Sequence, residues 1–338
     1  VEKNIKMSQP SSSQQSTSVL VIVGMHRSGT SASTGALRCL GVNLGEKLYQ
    51  GHQGINDKGY FEHAGIADTN DEVLATLGSC WDDPLLRPEN WWMDSRLSPY
   101  EKKVKALINQ DFSRSSLWAV KDPRVCRLLP WWMHIFSSQN ITPHFIFIVR
   151  SPEAVHRSLE KRDGFPQEKS FLLWALHYLE AERFSRGHPR TFLDFDRFLE
   201  APIPSLERVE RELNLSFPVS VAQAKKDLEG FLSRDLRHHT AQQPVDNPGP
   251  VVKLAQDLHG ELVKATGEQE LDLAAMEALW ERMQRLQQGF SEFLVSHIRS
   301  SGMIRGDLQI TFNRVYRSWS WIVGKPVRWM ERCFGRDV

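Results

Sequence analysis

The run Val19-Leu20-Val21-Ile22-Val23 passes directly into Gly24-Met25-His26-Arg27-Ser28-Gly29-Thr30 and then into a helical stretch from Ser31 to Leu40. An unbroken apolar, mostly β-branched run reads as a strand buried on both faces, the kind that builds parallel sheets. Gly41 follows as a helix stop. Strand, glycine loop and helix in that order point to an α/β fold with the loop at a strand end. Such a loop traps anions, because backbone N–H groups point into it and the helix N-terminus adds positive potential. Arg27 adds a charge-assisted donor, and Ser28, Thr30 and Ser31 add hydroxyls. Gly24 and Gly29 have the Walker A separation, but Thr30 stands where the lysine that reaches the outer phosphates would be. An ATPase or GTPase reading weakens, and a ligand with a phosphate ester or phosphosulfate remains.

The rest of the chain continues the alternation. Leu117–Val120, Phe145–Val149 and Arg190–Leu193 read as strands. Residues 99–110, 152–162 and 168–186 read as helices, as do the segments around Trp131 to Phe136 and around Leu206, Val209 and Leu213. Residues 42–95 read as loop-rich. The pattern predicts a three-layer α/β sandwich with a central, mainly parallel sheet and a P-loop-like phosphate-binding loop, followed by C-terminal helices. The organisation expected is a disordered polar tail over 1–17, a main domain over 18–240, a linker and helical extension over 241–300, and a basic, Trp-rich amphipathic tail over 301–338. Within the extension, Leu273, Met276, Leu279, Trp280, Met283 and Leu286 recur at helical spacing, as expected of a helix packed on the domain. In the tail, Trp319, Trp321 and Trp329 mix with Arg314, Arg317 and Arg328, which suits an interfacial helix, a connection to another domain, or a cover for the sheet edge.

Composition excludes several classes. Lys and Arg total 42 against 41 Asp and Glu, so no global field selects nucleic acid, and an anionic ligand needs a local cluster of cations. Cys39, Cys80, Cys126 and Cys333 lack C-x-x-C spacing, which argues against a zinc site or a disulfide framework and for a reducing compartment. With no visible signal peptide and no long apolar run, the expectation is a cytoplasmic protein, with peripheral membrane contact through the tail as the variant.

The segment Val23 to Ser31 resembles the 5′-phosphosulfate-binding loop of sulfotransferases, in which a Lys or Arg precedes Ser-Gly-Thr. A second motif agrees. Phe145–Val149 ends in Arg150-Ser151-Pro152, with Pro152 suited to a first helical turn, and Ser158 follows Arg150 by the family's spacing. The resemblance implies that Arg150 and Ser158 hold a 3′-phosphate, Arg supplying a bidentate grip, with Arg157 as a nearby alternative. Phe192 to Asp196 is similar to the strand-and-acid segment that follows in many members. Arg234 to His239 sits where a basic loop often closes over the nucleotide, which makes Arg237 a further phosphate contact. The resemblance covers residues 18–240 and leaves 251–338 unexplained.

The donor so implied is 3′-phosphoadenosine 5′-phosphosulfate (PAPS), with PAP as product and no metal. Cofactor-binding residues are Arg27, Ser28, Gly29, Thr30, Ser31, Arg150, Ser158 and Arg237. The family's base is a His or Glu between the two motifs. In Asn56 to His63, Glu62 is the first choice and His63 the second, a carboxylate between aromatics being expected to have a raised pKa. Arg27 would stabilise the leaving phosphate. In Lys121-Asp122-Pro123-Arg124, Lys121 or Arg124 would orient the acceptor or the sulfuryl group with Asp122 holding either, against the competing reading of a structural ion-pair network. His26 could act as well, although a lone His is more often a packed side chain. The loop is most similar to microbial, glycan-associated members, which implies a carbohydrate or glycolipid hydroxyl as acceptor. Trp81, Trp91, Trp92, Trp131 and Trp132 suit sugar stacking but suit core better. The alternatives are a P-loop kinase-like phosphotransferase and a catalytically inactive sulfotransferase-fold scaffold in a glycan-assembly complex.

Overall fold

Four strands, β1 (Thr17–Val23), β2 (Leu117–Lys121), β3 (Ile141–Val149) and β4 (Arg190–Asp194), form one sheet in the order β2-β1-β3-β4, every neighbouring pair parallel. The computed structural model describes residues 17–50, 59–232, 248–267 and 269–300. Leu20 pairs with Ala119 of β2 on one side and His144 of β3 on the other, so β1 is internal. The chain leaves β1 for β2, then crosses back over β1 to β3. The crevice at the carboxyl ends of β1 and β3 is therefore the point where strand order reverses, the usual ligand position in such sheets.

The helices are α1 (Thr30–Cys39), α2 (Ala64–Thr76), α3 (Ser98–Phe112), α4 (Arg124–Ser138), α5 (Pro152–Asp163), α6 (Gln167–Ser185), α7 (Phe195–Glu200), α8 (Pro202–Leu213), α9 (Val221–Phe231), α10 (Pro250–Ala265) and α11 (Leu273–Ser300). Side chains alternate across the sheet. Leu20, Ile22, Leu117, Ala119, Ile146, Ile148 and Leu193 share one apolar core with Ala36 and Leu37 of α1, Leu206 and Val209 of α8, and Ala224 and Leu228 of α9. The other face carries Trp118, Phe145, Phe147 and Phe192. Trp118 stacks on Phe112 of α3 at 4.3 Å and meets Phe136 of α4 edge-on at 6.3 Å. Tyr178 of α6 donates its hydroxyl to the Ile148 carbonyl. This is the three-layer α/β arrangement with a parallel sheet, and Trp131 and Trp132 are buried core residues.

Three helices depart from the sequence expectation. The supposedly loop-rich stretch 42–95 contains α2, whose Gly65, Thr69, Asn70 and Asp71 are poor helix formers. Burial of Ile66, Ala67, Val73 and Leu74 overrides that propensity, and His63 caps the helix in place of a Ser or Asp. The helix α9, which the sequence pattern does not predict, begins with a capping box between Ser220 and Gln223. The helix expected around Leu206, Val209 and Leu213 is α8, and the short α7, not expected, ends before it at Ala201-Pro202, because Pro202 has no N–H to continue the ladder.

Helix α10 packs on α6, β3 and β4, and residues 1–284 form one compact unit and 285–338 a second. Met276, Leu279 and Met283 of α11 are buried, in keeping with their spacing. The expected tails and Arg237 lie outside the described residues.

Candidate functional site

The loop after β1 is shaped by backbone conformation. Ser28 N–H donates to the Met25 carbonyl at 3.1 Å. Gly29 has φ 90°, and a Cβ there would lie 2.1 Å from the Phe195 ring, so both conformation and space demand glycine. Arg27 also takes the left-handed region at φ 70°, uncommon for a residue with a side chain and concentrated at functional sites. Gly24 N–H donates to Cys126 Sγ of α4 at 3.3 Å, which ties the loop to the layer beneath.

The second motif meets this loop directly. Arg27 Nε donates to Ser158 Oγ at 2.7 Å, although the residues are 131 positions apart, and Arg150 Nη1 donates to the Arg27 carbonyl at 2.8 Å. Helix α5 is aimed here by its N-terminus, where Ser151 Oγ accepts from Ala154 N–H and Pro152 fills the first turn. The Arg150 guanidinium lies over the Phe195 ring at 5.0 Å, and its carbonyl accepts from Trp174 Nε1 at 3.1 Å. Burial pulls the Arg150 pKa down to about 10, with Arg27 and Arg157 pulling the same way and Asp196 opposing. Burial also lowers Arg27, helped by Arg162. Cations crowded together in this way favour a bound anion.

Across the α1 N-terminus lies a different construction. Lys121 Nζ, at the end of β2, donates to Glu62 Oε1 at 2.6 Å, to the Tyr60 carbonyl at 3.0 Å and to Ser31 Oγ at 3.1 Å. Its three donors are thereby matched to three acceptors. Glu62 is thus the partner of a buried lysine and not a lone carboxylate between aromatics. His63 is more tightly committed: Nδ1 accepts from Ile66 N–H at 3.2 Å as the cap of α2, and Nε2 pairs with Asp111 Oδ2 at 2.8 Å. Lys121-Asp122-Pro123-Arg124 forms an ion-pair network. Asp122 accepts from Asn70 Nδ2 at 2.8 Å and from Arg124 Nη1 at 2.9 Å, and Arg124 Nε reaches Asp71 at 2.6 Å. Burial alone would lower the Arg124 pKa, but Asp122 and Asp71 raise it further than burial depresses it. Of the expected site residues, Arg27, Ser28, Gly29, Thr30, Ser31, Arg150 and Ser158 come together. Lys121 and Glu62 adjoin them through Ser31, and His63 is held away by its own partners.

No protein family matches the chain, and no curated protein matches it. Similar solved structures include a sulfotransferase domain from the Synechococcus PCC 7002 olefin synthase, with 17% identity over 85% of this chain and 98% of that one at a TM-score of 0.39. A sulfotransferase domain from the curacin biosynthetic pathway has 13% identity over 80% of this chain and 99% of that one at a TM-score of 0.33. Among the described residues, no group of three or more His, Cys, Asp or Glu is placed to hold a metal ion, and no helix is long and apolar enough to cross a membrane.

Several residues at the site were missed by sequence reasoning. Arg162, in the last turn of α5, lies 5.4 Å from the Trp81 ring and pairs with Asp163 at 2.7 Å. Its i+4 spacing from Ser158 places both on one face of α5, a signal that could have found it. Trp81, one of the tryptophans singled out in the sequence, is buried, stacks against Phe165 at 5.7 Å and lies 4.5 Å from the His26 ring, a neighbour that its irregular segment does not signal. That segment is anchored by the buried Arg127, which donates to the Asp83 carbonyl at 2.9 Å and the Leu85 carbonyl at 2.8 Å and pairs with Glu180 of α6.

Proposed function

We propose that this chain is a PAPS-dependent sulfotransferase. Arg27 to Ser31 cradle the 5′-phosphosulfate, Arg150 and Ser158 bind the 3′-phosphate, and the sulfuryl group moves in line to an acceptor hydroxyl. The observation that carries this reading is the contact of Arg27 with Ser158 and of Arg150 with the Arg27 carbonyl. A nucleotide with phosphate groups at both ends of one ribose needs two adjoining cationic sites, and these residues supply them from a loop and from the next parallel strand. Arg27 stabilises the negative charge that develops on the leaving phosphate. The ion pair of Lys121 with Glu62 fixes Ser31, and so the first turn of α1, against the donor. The acceptor in this reading is a carbohydrate or glycolipid hydroxyl, reached by a cytoplasmic protein whose residues 301–338 contact a membrane or a further domain. The support for that acceptor is the resemblance of the loop to glycan-associated members.

Calorimetric titration with PAP, in parallel with ATP–Mg²⁺, tests the donor. Expected is micromolar PAP binding that falls at least about tenfold in Arg150→Ala, about 1.4 kcal/mol, with an unchanged far-ultraviolet spectrum. ATP binding without PAP binding would support a P-loop kinase, and binding of neither a non-catalytic scaffold. Label from ³⁵S-PAPS that reaches only 4-nitrophenol, and no oligosaccharide or glycolipid, would defeat the glycan acceptor.

A further inference from the structure

We infer that His26, and neither Glu62 nor His63, takes the proton from the acceptor hydroxyl; the inference rests on the sulfotransferase reading above. His26 belongs to the loop itself, one residue before Arg27. Its Nε2 is buried and has no hydrogen-bond partner among the described residues. A buried nitrogen left unpaired costs about 1–3 kcal/mol, and such an atom at a ligand site marks a place for a ligand group. The two rival bases are spoken for. Glu62 Oε1 is bound to Lys121, and both ring nitrogens of His63 serve the α2 cap and Asp111. Trp81 lies against the His26 ring, and behind it stand Phe165 and the Arg162 guanidinium. In this reading an acceptor that takes the place of Trp81 against the His26 ring brings its hydroxyl to Nε2 and to the sulfur held beside Arg27.

The titratable groups whose fields reach His26 are Arg162 of α5, Arg124 of α4, His177 of α6 and Lys121 at the end of β2. Burial first, and the Arg162, Arg124 and Lys121 charges after it, hold the imidazole well below its ordinary pKa, so it is neutral and able to accept a proton at neutral pH. Binding of the anionic donor offsets the same cations and strengthens the base at the moment it is needed. In the step itself the acceptor O–H bond breaks and its proton passes to Nε2. The acceptor oxygen forms a new bond to sulfur. The bond from sulfur to the bridging oxygen breaks, and its electron pair stays on the 5′-phosphate of PAP.

The test uses the whole chain with ³⁵S-PAPS and three acceptors: water, 4-nitrophenol and a neutral oligosaccharide. PAP affinity is measured alongside. Expected for His26→Gln and His26→Ala is turnover lower by about a hundredfold or more, with the PAP dissociation constant within about threefold of wild type. Added imidazole restores part of the turnover in His26→Ala, and the acidic limb of the wild-type pH–rate profile disappears in His26→Gln. Turnover near the wild-type rate in both variants overturns the inference and returns the base to Glu62. Parallel loss of PAP affinity and turnover also overturns it, because His26 then only shapes the loop. A wild-type chain that binds PAP but transfers to none of the three acceptors overturns the transferase step. One that does not bind PAP removes the donor reading itself.

Discussion

The loop Gly24 to Thr30 and the segment Gly59 to His63 flank the same helix N-terminus, but different forces hold them there. The loop is the direct continuation of a strand with parallel neighbours on both sides, and its shape follows from backbone conformation at Arg27 and Gly29. Among the described residues, the segment 59–63 is tied by an isolated bridge between Leu48 and His63, by Tyr49 N–H to the Glu62 carbonyl and Ala64 N–H to the Lys47 carbonyl, and by the His63 carbonyl at the start of α2. The rest of its hold is side-chain chemistry, from Lys121 to Glu62 and from Asp111 to His63. Trp81 is similar, since its segment is pinned by Arg127 and not by a ladder. A site made this way has one side where strands fix positions, the donor side in the proposed function, and another that depends on buried ion pairs, the proposed acceptor side.

Mutations can break that contrast. Glu180→Ala should have the largest effect on stability, about 3–5 kcal/mol in urea unfolding, because it leaves Arg127 charged and buried without its carboxylate. A loss below about 1 kcal/mol would mean that carbonyls alone hold Arg127. Gly29→Ala should cost as much as about 3 kcal/mol and abolish PAP binding, since its Cβ collides with Phe195. Retained PAP binding would show that the donor side can yield. Glu62→Gln keeps an acceptor for Lys121 but removes the charge, and should cost about 1–2 kcal/mol while leaving PAP affinity within threefold. Loss of PAP affinity in that variant would show that the two sides are not separable.

A pH series sharpens the comparison at its base. His177 on α6 is held down to about 3 by burial first and by Arg127 next. Between that value and the ordinary 6.5 the unfolded chain binds a proton that the folded chain refuses. Stability therefore falls as pH drops through this window, with a slope of up to about 1.4 kcal/mol per pH unit from this residue. Unfolding of His177→Leu at pH 7 and pH 5 should show a shallower slope than wild type; an equal slope would remove His177 as the source. The smallest effect is expected for Lys103→Ala, whose pair with Glu72 is exposed, within about 0.5 kcal/mol of wild type in the same unfolding assay.

Much of the donor side is legible in the amino-acid sequence. The apolar run of β1, the spacing of Gly24 and Gly29, and Arg150 at the end of an apolar strand are short-range patterns, and the strands lie where those patterns predict them. Helix α2 shows the limit of such patterns: local propensity argues for a loop, and burial of one face decides otherwise. The acceptor side is barely legible. Glu62 stands out in the sequence for its aromatic neighbours, whereas the atom that defines its role is Lys121 Nζ, 59 positions away.

By itself, then, the sequence determined an α/β chain with a glycine-containing loop between its first strand and first helix, because each of those features is written within one strand or one turn of helix. Only the tertiary structure decided that Arg27 meets Ser158, that Glu62 and His63 already have partners, and that His26 keeps a nitrogen unpaired among the described residues. Those outcomes depend on which side chains arrive from distant elements, and no local periodicity carries that information.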